Sequence, residues 1–269
     1  MSLVESVKHR IWQYLLNFAD LAIAPSKILV DIHEYYGVLK GKWKVVVPWT
    51  DPVFHSLGKS RGSEKGVGNK EFDAKKLDRC LHDGPILLFV GSLIEFKGAW
   101  VAAKALKKIV DMFPKAQLVF VGNEQDPGSK YRKDIEKICT KDGTAENIVF
   151  LGRRSKEEIA YLHKRSSVYL CPTVCMESFG LNWAEAMLAS SPIVASAIGS
   201  IPEYIKDGKT GFLFTPRDHK ELASCVIKVL SDKKLAKNLA KDGKNYAQRH
   251  FTVERATDEI VALYKKLLD

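Results

Sequence analysis

From Gly84 to Phe214, short uninterrupted apolar runs alternate with longer stretches whose apolar residues recur at helical spacing. The runs predict strands at Ile86–Val90, Gln117–Val121, Asn147–Phe150, Val168–Cys171, Ile193–Ser196 and Gly211–Phe214. The stretches between them predict helices at Ala99–Met112, Lys130–Thr140, Lys156–Arg165 and Leu181–Ala189. Strands that are apolar at every position are buried on both sheet faces. Strands that alternate with helices fold as right-handed crossovers on a parallel sheet. Ser155 followed by Glu158 forms a capping-box signature and marks the start of the third helix. The pattern therefore predicts an α/β fold, a doubly wound parallel sheet of Rossmann-like type, over residues 85–250.

Upstream, Val4, Val7, Ile11, Leu15 and Phe18 share one helical face. That face predicts a helix buried against a domain, with an amphipathic helix on a membrane surface as the alternative. An apolar run at Leu21–Ala24, a helical stretch at Ser26–Tyr36 and a strand at Trp43–Val47 follow. They read as the last βα steps of a preceding α/β domain, a remnant over residues 1–54. Residues 56–69 are rich in Gly, Ser and Lys without an apolar period, and predict a flexible connection within an interlobe segment over 55–84. Beyond Thr215, helices are expected at Lys220–Leu230, Lys234–Arg249 and Val253–Leu268.

The composition narrows the function classes. The 269 residues carry a formal net charge of +10, which favours an anionic partner such as a nucleotide diphosphate, an acidic phospholipid or a nucleic acid. Lys and Arg are interleaved with Asp and Glu, without an Arg-rich arm, an RNA-binding signature or a zinc finger. Nucleic acid thus rests on charge alone and is not expected as a partner. The longest apolar runs are too short to span a bilayer, and no secretory leader is evident, so the cytoplasm is the expected location, with a peripheral place at the inner membrane face as the variant. Of five cysteines, only Cys171 and Cys175 are close in sequence. No second Cys or His pair stands at zinc-ligand spacing, so structural thiols and no metal site are expected.

Three loops carry candidate chemistry. The stretch Pro172–Met187, PTVCMESFGLNWAEAM, leaves a strand and enters a helix. In an open α/β sheet that carboxyl edge is where ligands bind. The helix start there presents unpaired N–H groups and a positive dipole end, which suit a diphosphate. Glu177 and Glu185 are eight residues apart, a spacing that lets one carboxylate face a sugar and the other a ribose diol, although such glutamates are more often solvated charges. Phe89–Gly98, FVGSLIEFKG, ends a strand at Gly91 and places Lys97 before the next helix, as a phosphate cation or as an ordinary surface charge. Gly199–Glu203, GSIPE, reads equally as a tight turn or as a loop facing a ligand.

The order FVG, KG, VGN at Val121–Asn123, FLG at Phe150–Gly152, E-x-FG-x5-E, G-x-x-PE and DGKTGFLF at Asp207–Phe214 resembles the retaining, two-lobed (GT-B) glycosyltransferases of family four, the group 1 glycosyl transferases. The resemblance runs from about Ala19 to the C terminus. It implies that residues 85–250 are the C-terminal, nucleotide-sugar-binding lobe. It also implies that residues 251–269 form a helix crossing back to the N-terminal remnant, and that most of the acceptor-side lobe has no counterpart. By the same resemblance, Glu177 is the carboxylate beside the donor sugar and, with Lys97, belongs to the catalytic site. Glu185 would bind the ribose hydroxyls, and Ser178, Phe179, Gly180 and Leu181 would cradle diphosphate and sugar. Lys97 would bind phosphate, Gly91 and Ser92 would form the first loop, and Arg153 would hold the base. The implied reaction transfers a sugar from a UDP-, GDP- or ADP-linked donor with retention at the anomeric carbon, without a metal or other cofactor.

The chain departs from the family where Ser92 replaces the usual Arg, a loss worth about 1.5–3 kcal/mol per charge-assisted contact unless Arg154 or Lys209 substitutes, and where Ser200 stands for a second glycine. A partner chain supplying the N-terminal lobe is one expectation, and a binding module that holds a nucleotide-sugar without transfer is the alternative. A sugar-nucleotide epimerase shares the architecture but not the E-x7-E and TGFL elements.

Overall fold

Fully apolar runs and amphipathic stretches fold in the computed structural model largely where the pattern puts them. The structure describes residues 14, 16–55, 74–81, 83–124 and 129–269. Most of the expected helix at 4–18, and the flexible connection expected at 56–69, lie outside the described residues. The chain divides into two units, one of Met1–Trp49 with His250–Asp269 and one of Thr50–Arg249.

In the smaller unit, β1 (Ala22–Ala24) and β2 (Trp43–Val45) pair in parallel, with α1 (Lys27–Tyr35) as their crossover. Trp43 stacks on His33 at 5.0 Å and donates its indole N–H to the Val38 carbonyl at 3.0 Å, which fixes the return from α1. The final helix of the chain (Val253–Leu268) is capped by Thr252, and its Arg255 guanidinium donates to the Val47 carbonyl just past β2.

The larger unit opens with two short helices, α2 (Pro52–His55) and α3 (Ala74–Asp78). A six-stranded parallel sheet follows, formed by β3 (Ile86–Val90), β4 (Gln117–Val121), β5 (Ile148–Gly152), β6 (Val168–Cys171), β7 (Ile193–Ser196) and β8 (Phe212–Phe214). The helices between them are α4 (Ala99–Met112), α5 (Lys130–Lys141), α6 (Lys156–Arg165), α7 (Leu181–Leu188) and the single turn α8 (Ile201–Tyr204). Two more, α9 (His219–Ser231) and α10 (Lys233–His250), follow β8, and Val253–Leu268 is α11.

The spatial order is β5-β4-β3-β6-β7-β8, every neighbouring pair parallel. Every residue of β3, β4, β6 and β7 is buried, the terminal Gln117 and Ser196 included, as strands covered on both sheet faces require. Phe120 anchors the interior between Phe89 and Phe150, with ring centroids 5.6 and 4.8 Å away. Helix starts are closed locally. Ser155 and Glu158 form the expected capping box, while Ser129, Asp218 and Asp232 cap α5, α9 and α10. All five cysteines are free thiols. Among the described residues no helix is long and apolar enough to cross a membrane.

Candidate functional site

The sheet order fixes where a ligand fits. β3 and β6 are neighbours, but the chain leaves β3 through α4 toward β4 and leaves β6 through α7 toward β7, on opposite sides. Their carboxyl ends therefore diverge, and an open α/β sheet forms its binding crevice at such a switch point. A cavity of about 230 Å³ lies there, lined among others by Lys97, Thr173, Glu177, Phe179, Asn182 and Trp183.

A close approach of two loops builds it. After β3, Gly91 and Ser92 lead into a single 3-10 turn, Glu95–Lys97. Gly98 then adopts φ +72°, and a Cβ at that position would stand 1.8 Å from the Pro172 carbonyl oxygen, so only glycine fits. The turn docks on the loop that leaves β6. Val174 N–H and the Thr173 hydroxyl both donate to the Phe96 carbonyl, at 2.9 and 3.0 Å. This contact carries Lys97 across the cavity to Glu177, and their side chains form an ion pair. Lys97 stays 35% exposed while Glu177 is only 11% exposed, so an incoming anion reaches the ammonium group before the carboxylate.

Glu177 is fixed from two further directions. Ser200 N–H donates to the Glu177 carbonyl at 3.0 Å, so the GSIPE segment supports the glutamate's main chain from behind before opening into α8. On the other side, a Cβ on Gly180 would fall 2.4 Å from the Trp183 indole nitrogen and 2.8 Å from Glu177 Oε2. No side chain caps α7, whose N-cap residue is Gly180, so its first-turn N–H groups add positive potential beside Lys97.

The expected site residues do not all converge. Lys97, Glu177, Phe179, Gly180 and Leu181 line the cavity. Gly91 borders it, where an added Cβ would lie 3.7 Å from Asn182 Nδ2. Ser92, Arg153 and Ser178 are exposed and do not line it. Arg154 is half-buried 3.9 Å from Glu158, and Lys209 is exposed, so neither brings to the cavity the cation that Ser92 lacks.

Glu185 stands just over one turn into α7, outside the cavity lining, and among the described residues no group hydrogen-bonds its carboxyl. Burial pushes that carboxyl up to about 7; the nearby Lys156 opposes the rise and Asp51 adds to it. Lys156 and Asp51 are themselves hydrogen-bonded, which lowers the Asp51 pKa and raises that of Lys156.

Sequence reasoning missed Asn182, whose Nδ2 donates to the Val90 carbonyl at 2.9 Å and pins the start of α7 to the end of β3. It also missed Asp51 and Lys156. The one available signal for Asn182 was an amide at the opening of the E-x-FG helix; nothing local linked Asp51 to Glu185.

The family model described as glycosyl transferases group 1 matches residues 71–246. The chain is 26% identical to a D-inositol 3-phosphate glycosyltransferase of Corynebacterium urealyticum over 95% of its own length and 58% of that protein's. It is 25% identical to spore coat protein SA of Bacillus subtilis over 74% of its length and 53% of that protein's. Among solved structures, it superposes on HepE of Anabaena in complex with UDP with a TM-score of 0.82 and 22% identity, covering 97% of this chain and 68% of that one. Sucrose-phosphate synthase of Thermosynechococcus elongatus gives 0.80 and 25% identity, covering 98% and 62%. The chain thus spans somewhat over half the length of these two curated relatives, and the superposed structures share its GT-B architecture. With the model covering most of the chain and this sheet order beneath it, the protein belongs to the group 1 glycosyl transferases.

Proposed function

We propose that the cavity between β3 and β6 binds a nucleoside-diphosphate sugar, and that the protein transfers this sugar to an acceptor with retention at the anomeric carbon. The observation that carries the reading is the Lys97–Glu177 pair inside the cavity at the switch point of the sheet. In this reading the donor diphosphate draws Lys97 away from Glu177 and meets the uncapped start of α7. Freed of its partner, the Glu177 carboxylate faces the sugar. As the bond from the anomeric carbon to the phosphate oxygen breaks, the charge left on the diphosphate is stabilised by Lys97 and by the N–H groups of α7, without a metal.

Glu185 accepts hydrogen bonds from the ribose hydroxyls, and Arg153, with the turn that follows β5, borders the base. Gly91, Ser92 and Ser178 complete the loops around the phosphates. A uridine nucleotide is the favoured donor class, since HepE was solved with UDP and with UDP-glucose. The acceptor side draws on residues beyond this cavity, supplied by a further lobe or by a partner chain.

One observation favours a second reading. Ser92 is exposed where the family usually has Arg, which weakens the grip on the leaving diphosphate and suits a module that binds a nucleotide-sugar without transferring it. Calorimetric titration with UDP, GDP and ADP tests both readings. The expected result is preference for UDP, weakened roughly tenfold or more by Lys97→Ala. Equal affinity of the Lys97→Ala variant, or no nucleotide binding at all, overturns the donor site. Binding without any sugar release or transfer selects the second reading.

A further inference from the structure

The opposite edge of the sheet holds a second groove that the donor chemistry does not use. A cavity of about 460 Å³ lies where the chain enters β6 and β7, lined by Ser167 and Ser190 and by Lys237, Lys241 and Lys244 of α10. At 100° per residue, Lys233, Lys237, Lys241 and Lys244 fall on one face of α10, and Asp242 lies well away from it.

This arrangement is costly, because like charges three and four residues apart destabilise a helix. Lysines also stand three and four residues apart on α5, at Lys130, Lys133, Lys137 and Lys141, but there Glu136 lies among them and Lys137 pairs with Asp134. Lys27, Lys107, Arg132, Arg154 and Arg255 each pair with an acid four residues on. Among the described residues, no ion pair involves Lys237 or Lys241. The helix start cannot serve an anion either, since the Asp232 carboxylate already takes the N–H groups of Lys234 and Leu235 at 2.9 Å. Facing the lysines, Ser167 Oγ accepts from Ile86 N–H at 3.2 Å and keeps its own proton to donate. Ser190 is held at φ +62°, an unusual conformation for a residue with a side chain, at the turn that brings it to the groove.

We propose that this groove is a second anion site, which binds the phosphate group of a ligand through Lys237, Lys241 and Lys244 with serine hydroxyls opposite. The same chemistry is offered by a soluble phosphorylated compound and by the headgroup of an anionic lipid. Two probes separate them: inorganic pyrophosphate, by calorimetry, and flotation with phosphatidylglycerol-containing vesicles against phosphatidylcholine vesicles. Both are run on the full chain carrying Lys97→Ala, so that the donor cavity does not contribute.

Binding of at least one probe is expected to fall roughly tenfold in Lys237→Ser/Lys241→Ser. It should be unchanged in Lys133→Ser/Lys137→Ser, which removes the same charge from the exposed face of α5. Pyrophosphate alone would identify a soluble ligand, and vesicles alone a headgroup. Failure of both probes, equal loss in both pairs of variants, or tighter binding of single-stranded RNA than of either probe overturns the proposal. UDP affinity of the Lys237→Ser/Lys241→Ser chain with Lys97 intact reports separately on the donor site.

Discussion

At the scale of single residues, the two glutamates of the E-x7-E motif live in different surroundings. Glu177 has a cation against it, whereas Glu185 has burial and the neighbouring Asp51 working against its charge. A carboxyl held at about 7 titrates in the working range. If the ionised form accepts the ribose hydroxyls, UDP binds more tightly as pH rises from about 6 to 8, and Glu185→Gln flattens that profile while weakening binding at the upper end. Stability moves the other way. The folded pKa lies above the unfolded 4.5, so the protonated form favours folding, and stability falls as pH rises through about 7. Glu185→Gln should therefore stabilise the chain by about 1–2 kcal/mol above neutral pH in urea denaturation, and not at pH 4. Asp51→Asn removes a negative neighbour and should move the binding profile to lower pH. A profile that stays in place would show that Asp51 does not act on Glu185.

At the scale of elements, the strands of the large sheet were legible because each carries an apolar run over most of its length, and the long helices because their apolar stripes run for several turns. The GSIPE segment, open between a turn and a ligand-facing loop, became a short helix whose leading residues support Glu177 from behind. The helices at Pro52–His55 and Ala74–Asp78 were missed because four or five residues give hardly one turn of periodicity. The 3-10 turn at Glu95–Lys97 was missed for a different reason: contacts about 80 residues away hold it in place. The same holds for the site. Lys97, Glu177 and Gly180 sit in readable motifs, while Asn182 with Val90 and Asp51 with Lys156 are tertiary partnerships without a local trace. Gly98 is where element and site meet. Gly98→Ala must open the contact with Pro172 and strain the backbone, so we expect a loss of about 2–4 kcal/mol in stability and of UDP binding in whatever folded fraction remains. Normal UDP affinity in a stable Gly98→Ala chain would show that the loop contact does not position Lys97.

At the scale of the whole molecule, the sheet order sets which partners are near in sequence and which are far. Ile86 pairs with Gln117, about 30 residues on, but Leu87 pairs with Val168, about 80 residues on. Closing the longer loop costs roughly 0.8 kcal/mol more, while β6, β7 and β8 again pair over short separations. We expect each half of the sheet to gain amide protection early in pulse-labelled refolding, and the bonds between β3 and β6 to gain it last. Simultaneous protection of all six strands would contradict this order. The cavity between β3 and β6 lies on that last seam, so in this order the surface proposed to bind the donor is completed only at the end of folding. A bound diphosphate held between Lys97 and the start of α7 would then act as a clasp across the two halves, and an empty cavity would mark the line along which the sheet first comes apart.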